Sequence, residues 1–227
     1  MSFLETMVAL RRERILAEYG GLDPAARESF AAAAGPPRDF AAALCDRRDV
    51  AVIAEVKKAS PSAGPIAPDC DAATVALRYQ AGGAAAISVL TEPDRFAGSF
   101  ADLSDVAAAV DVAVLCKDFV VDPVQLFIAR GHGADAILLI VRVLGDLIPN
   151  YADLATTLGL TPVVEVAKKH GISDQTIYLW RQRYGTLQAD EVKRLRVLEQ
   201  ENARLKKMVA ERDLAIEVMK EIAAKKW

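Results

Sequence analysis

Hydrophobic residues along this chain fall into two rhythms, and one gives way to the other near residue 165. From residue 1 to about 46 they recur at helical spacing: Phe3, Leu4, Met7, Val8, Leu10, Ile15 and Leu16 mark a helical face, and Gly20-Gly21 and Gly35-Pro36-Pro37 punctuate it. Short apolar runs follow at 51–55, 85–90, 112–116, 136–141 and 162–166, separated by helix-like stretches of Ala, Leu and charged residues. Such runs, lacking polar alternation, predict strands buried on both faces, as in a parallel sheet. Five successive strand–helix units predict an α/β fold, either a (β/α) barrel or a doubly wound sheet.

The second rhythm is purely helical. Residues 163–170 read as a helix, Gly171-Ile172-Ser173 as a tight turn, and 174–184 as a second helix capped by Ser173, which is helix-turn-helix spacing. A helical hairpin with a charged face is the plainer alternative. Residues 188–226 contain no Gly or Pro and carry heptads through Leu195, Leu198, Asn202, Leu205, Val209, Arg212, Ile216, Met219 and Ala223. Asn202 at an a position favours a parallel dimer of fixed register. Arg212 at a d position works against it and leaves a single amphipathic helix as the alternative. The segment Pro162-Val163-Val164-Glu165-Val166 is claimed by both rhythms, as a buried strand and as part of the first helix.

Composition separates the same two halves. With 52% hydrophobic residues over 227 positions the chain has ample material for a packed core, which excludes a disordered polymer. Residues 1–166 carry 14 Lys+Arg against 22 Asp+Glu, net −8, whereas residues 167–227 carry 14 against 9, net +5. The basic half is a candidate partner for nucleic acid. Cys45, Cys70 and Cys116 form no CxxC pair, and with only His132 and His170 beside them no set of zinc ligands is expected. Widely spaced thiols predict a reducing, cytoplasmic setting. Arg11, Arg12 and Arg14 interrupt any signal-type apolar core, and no run approaches the ~18 apolar residues of a spanning helix.

Charged groups recur where the apolar runs end. Glu55 and Lys57 follow the first run, Lys117 and Asp118 the third, and Glu165 closes the fifth. One charge at a strand end is ordinarily just solvated. Three recurrences point to a barrel, whose strand ends converge on one mouth where catalytic groups sit.

The segment Ile53-Ala54-Glu55-Val56-Lys57-Lys58-Ala59-Ser60-Pro61-Ser62 resembles the first-strand signature of the indole-3-glycerol phosphate synthase family. Further words are Ser88-Val89-Leu90-Thr91-Glu92 with Phe96 and Gly98-Ser99, then Leu115-Cys116-Lys117-Asp118-Phe119, then Gly133-Ala134-Asp135 through Leu138-Leu139-Ile140. The resemblance covers roughly residues 1–166. It implies a lyase that closes the ring of an anthranilate-bearing deoxyribulose phosphate, with loss of carbon dioxide and then water, and that needs no cofactor. Lys117 would be the general acid that polarises the ketone, and Glu165 the acid or base for dehydration. Glu55 and Lys57 would assist proton transfer, with Lys57 also facing the phosphate. Phe96, Phe119 and Leu138 would wall the aromatic pocket, and Ser60 would line it. After Glu165 the family pattern brings an Asn and Arg pair, a second Glu and the Gly/Ser turns that grip phosphate, and no such words follow here. Lyase activity is therefore expected to be absent or negligible.

The tail resembles the small DNA-binding subunit of two-frame insertion-sequence transposons. The words are Val166-Ala167-Lys168-Lys169-His170-Gly171-Ile172-Ser173, Thr176-Ile177-Tyr178-Leu179-Trp180-Arg181, and Leu195 through Lys206. The resemblance implies duplex DNA as partner, with Gln175, Tyr178, Arg181, Gln182 and Arg183 facing bases and phosphates, and a parallel homodimer through residues 188–226. The architecture expected is thus an incomplete TIM (β/α)8-type barrel of about five strands over 1–166, then an all-α helix-turn-helix at 163–186 and a coiled-coil helix over 187–227. No metal and no membrane contact are expected.

Overall fold

The structure, a computed structural model, describes residues 2–46 and 50–165. Three helices come first: α1 (Phe3–Tyr19), α2 (Pro24–Ala32) and α3 (Phe40–Cys45). Their starts are written locally. The Ser2 hydroxyl accepts from Glu5 N while the Glu5 carboxylate accepts from Ser2 N at 2.7 Å, a reciprocal capping box, and Asp39 caps α3 through Ala42 N at 2.8 Å.

A strand β1 (Ile53–Val56) then leads into a small hairpin, β2 (Ala59–Ser60) and β3 (Gly64–Pro65), before α4 (Ala72–Ala81). Next come β4 (Ala86–Leu90), the short α5 (Pro93–Phe96), α6 (Phe100–Ala109), β5 (Ala113–Lys117) and α7 (Val124–Gly131). β6 (Ala136–Ile140), α8 (Val141–Leu144), a 3-10 turn, α9 (Ile148–Thr157) and β7 (Thr161–Glu165) complete the described part. Glycines with positive φ follow α4, α7 and α9, three of the helices that feed strands. At Gly83 (φ +88°) and Gly133 (φ +84°) the chain turns through the left-handed region, and the next residue, Ala84 or Ala134, donates back to Tyr79 O or Ala129 O at 3.0 Å.

β1, β4, β5, β6 and β7 form one parallel sheet in chain order, which decides between the two sequence-based alternatives. A doubly wound sheet reverses strand order and carries helices on both faces, whereas right-handed crossovers between sequential neighbours put every helix on one face. Ile87, Val89, Val114, Cys116, Ile137 and Leu139 all join the core made with Ile15, Ala76, Leu103, Val106, Leu126 and Ala155 of the helices. Residues of the opposite parity occupy the other face. This is a partial (β/α) barrel of five strands.

Four of the five strands lie within one residue of the sequence expectation, and β1 starts two residues later than its apolar run. The hairpin β2–β3 is not signalled by periodicity. Residues 163–165, claimed by strand and helix, are strand: Leu138, Leu139 and Ile140 pair in register with Val163, Val164 and Glu165. A helix opening at residue 163 is corrected to that extent, because the sheet edge offered by β6 satisfies this backbone and Val164 packs on the core. The rest of the helix-turn-helix, with Gln175, Tyr178, Arg181, Gln182 and Arg183, and the coiled coil over 187–227 lie outside the described residues.

Candidate active site

Register builds the site. Val56 enters the core, so its neighbour Glu55 takes the opposite face of β1, where it pairs with Ser88 of β4, and Ser88 in turn pairs with Leu115 of β5. Lys117 stands two residues beyond Leu115, and Lys57 stands two beyond Glu55. Both ammonium groups therefore approach the Glu55 carboxylate from the carboxyl end of the sheet. Lys57 Nζ donates to Oε1 at 2.6 Å and Lys117 Nζ to Oε2 at 2.5 Å. Burial raises the Glu55 pKa, but the hydrogen bonds and charges of Lys117 and Lys57 outweigh it and hold the carboxyl below its ordinary value. Two cations on one carboxylate leave the cluster with one net positive charge, open to solvent at the strand ends.

Two aromatic residues carried beyond the ends of β4 and β5 meet each other. Phe96 closes α5, Phe119 follows β5, and their rings lie 6.4 Å apart at 45°. Leu138 is buried on the same sheet face as Glu55. Glu165 ends β7 opposite Ile140, on the far edge of the described sheet from Glu55. Ser60 belongs to the hairpin that packs against α5, where its hydroxyl accepts from Ala63 N at 3.1 Å. The structure thus joins Glu55, Lys57 and Lys117 directly, pairs Phe96 with Phe119, and puts Leu138 and Glu165 on the same sheet face as Glu55.

Of the residues that support the site, Asp118 stood among the strand-end charges, whereas sequence reasoning assigned Glu92 and Arg11 no role there. Glu92 is fully buried and accepts from Asp94 N, Arg95 N and Phe96 N at 2.9, 2.8 and 3.1 Å, so a carboxylate shapes the turn that presents Phe96. Asp118, between Lys117 and Phe119, is equally buried and accepts four donors. Arg11 Nε and Phe119 N reach Oδ1 at 3.0 and 2.8 Å, and Arg11 NH2 and Thr91 Oγ1 reach Oδ2 at 2.5 and 2.8 Å. Arg11 had a legible signal, since Met7, Arg11 and Ile15 form one buried stripe at i, i+4, i+8 in α1, and a charge inside such a stripe needs a buried partner. Cys116, next to Lys117, faces the core, where burial pushes its thiol up to about 12 and removes it as a nucleophile.

An acid–base cluster at the carboxyl ends of parallel strands is the layout that (β/α)-barrel enzymes use for catalysis. The family model for indole-3-glycerol phosphate synthase matches residues 4–219, and the chain belongs to that family. It is 48% identical over 167 residues to the indole-3-glycerol phosphate synthase of Rhodococcus opacus (strain B4), covering 73% of this chain and 62% of that protein. Against indole-3-glycerol phosphate synthase 1 of Streptomyces coelicolor the identity is 54% over 138 residues, covering 60% and 51%. The synthase of Hyphomonas neptunium is 44% identical over 161 residues, covering 69% and 58%. The chain therefore spans only part of the length of these relatives. The family match runs beyond residue 166, into the segment that sequence analysis assigned to a DNA-binding tail. Among the described residues no helix is long and apolar enough to cross a membrane, and no cluster of three or more His, Cys, Asp or Glu is placed to hold a metal ion.

Proposed function

We propose that the described part of the chain binds an anthranilate-bearing deoxyribulose phosphate and presents the acid–base groups for decarboxylating ring closure. The carrying observation is the Glu55 carboxylate held between Lys57 and Lys117 at the strand ends, together with the paired Phe96 and Phe119 rings that follow β4 and β5. A net positive cluster attracts a doubly anionic substrate, and the two rings wall its aromatic end. Lys117 donates a proton to the ketone oxygen as the carboxylate-bearing ring carbon bonds to the carbonyl carbon. Carbon dioxide then departs, and its bonding electrons restore the aromatic ring. The new hydroxyl then leaves as water while the ring CH2 beside nitrogen gives up a proton and the ring double bond forms, with Glu165 as acid or base for that step. Glu55 holds both ammonium groups in place through its two hydrogen bonds.

Turnover by this 227-residue chain alone is expected to match a buffer blank. The family's phosphate grip comes from later strands, whose words do not occur in residues 166–227, and energy from remote phosphate binding is needed at the reacting centre. Two measurements test the reading: binding of the borohydride-reduced substrate, followed by its anthranilate fluorescence, and indole formation from the substrate itself. Binding that disappears in K117M supports the site, whereas binding unchanged in K117M and E55Q removes it. Clear turnover overturns the phosphate argument.

A second reading, duplex-DNA binding by a homodimer through residues 163–227, draws support from the net charge of +5 over 167–227 and the transposon-like words. The strand at 161–165 takes the start of its first helix. A mobility shift on duplex DNA that weakens steeply with salt would support it, and no shift at low salt would remove it.

A further inference from the structure

We propose that Arg11, carried by a helix outside the sheet, is a positioning residue of the active site: its fork on Asp118 fixes the backbone that presents Lys117 and Phe119. The proposal rests on the reading of that site given above. Arg11 and Asp118 lie 107 residues apart in sequence, and their side chains are 2% and 1% exposed. Both carboxylate oxygens of Asp118 are engaged by the guanidinium, a parallel two-bond geometry that lysine cannot reproduce. The remaining acceptor positions go to Phe119 N and to the Thr91 hydroxyl, while Thr91 N donates to Lys117 O at 3.1 Å. A single buried carboxylate therefore ties the backbone on both sides of itself, and those flanking residues are the general acid and the aromatic wall. The Arg11 guanidinium also lies 5.6 Å from the centre of the Phe100 ring at the start of α6, which holds it in place from the other side.

A purely structural ion pair would stabilise the fold evenly. A positioning pair has a local signature. Removing the fork leaves Asp118 buried with too few donors, so it reorients and Phe119 N loses its acceptor, while amides deep in α6 remain closed. R11K keeps the positive charge and removes the fork; R11M removes both. R12M, an exposed neighbour on the same helix, is the control. The full chain is followed by amide hydrogen exchange, comparing Phe119 with Leu103 and Val106 of α6, and by affinity for the borohydride-reduced substrate.

In R11K the Phe119 amide should exchange roughly ten- to a hundredfold faster, as for loss of a hydrogen bond to a charged group, with Leu103 and Val106 unchanged. Affinity for the reduced substrate should fall by about tenfold, and R12M should match the unaltered chain. Unchanged exchange at Phe119 in R11K, or equal acceleration at Phe119 and in α6, overturns the proposal. If R11M fails to fold, R11K decides alone. If the unaltered chain does not bind the reduced substrate, the proposed function fails, and the exchange comparison still decides whether Arg11 fixes this turn.

Discussion

Replacing Asp135 tests how the first half of the chain is held together. This residue opens β6 region at the amino end of the sheet and is 3% exposed. Its carboxylate accepts from Val114 N at 2.8 Å and from Arg38 N at 2.7 Å, and the Arg38 guanidinium sits at 3.3 Å. Its backbone ties the same place, with Asp135 N donating to Val114 O and Thr161 N donating to Asp135 O, both at 2.9 Å. The Arg38 side chain is 32% exposed, so after solvent screening the ion pair contributes only about 0–1 kcal/mol. That guanidinium also keeps bonds to Ala107 O and Val112 O without its partner. The larger effect is the orphaning of two main-chain N–H groups, each costing about 1–3 kcal/mol when its acceptor is removed. D135A should therefore lose about 2–6 kcal/mol, with the buried Val114 N contributing the larger share. D135N keeps one acceptor oxygen but turns an amide NH2 toward the other donor, and should lose about 1–3 kcal/mol. Urea titration of the full chain, followed by circular dichroism at 222 nm with the slope compared between variants, measures both. A loss below about 1 kcal/mol in D135A, or equal losses in the two variants, would refute the reasoning.

Other expectations follow from steric and titration arguments. A Cβ on Gly98 would lie 2.0 Å from Leu90 O and 3.1 Å from Thr91 Cα, all backbone, so G98A must move the end of β4 and should lose about 1–3 kcal/mol or more in the same titration. On Gly131 the Cβ meets the Phe30 ring at 2.1 Å, and this half-exposed ring can swing toward solvent, so G131A should cost less; the reverse order would contradict the assignment. The Glu55 carboxyl is held below its ordinary value of 4.5 in the folded chain, so its contribution to stability is complete above that pH and disappears as pH falls through the lowered folded value. E55Q should flatten the acid limb of stability against pH, and an unchanged limb would show that the two lysines do not hold the carboxylate. His132 is stacked on Phe100 with its ring centroid 5.4 Å away, and burial lowers its pKa below 6.5. The unfolded chain then takes up the proton first, so stability should decline as pH drops below 6.5, and H132Q should remove that decline.

Much of this molecule was readable before its structure. Apolar runs marked four strands to within a residue, and three of these, β4, β5 and β6, are buried on both faces, which leaves little place for polar alternation. Ser2 with Glu5, and Asp39, start helices through bonds spanning three residues. That Glu55, Lys57 and Lys117 gather at the strand ends was legible because strand-end charge recurs along the chain. What the sequence by itself left open was which segments share a face and who satisfies whom. Residues 163–165 could be written as strand or helix, and the free edge of β6 chose the strand. Sequential strand order, with α1, α4, α6, α7 and α9 sharing one core with a single face of the sheet, chose the barrel path over the doubly wound sheet. The Met7/Arg11/Ile15 stripe hints that Arg11 is buried, but the Arg11–Asp118 pair spans 107 residues, so only packing reveals its partner and its two-bond geometry. Local rhythm determines elements, because hydrogen bonds and hydrophobic spacing within an element are short-range. Partners for buried charge are decided by tertiary contact, because desolvation is settled only when distant segments close over the group.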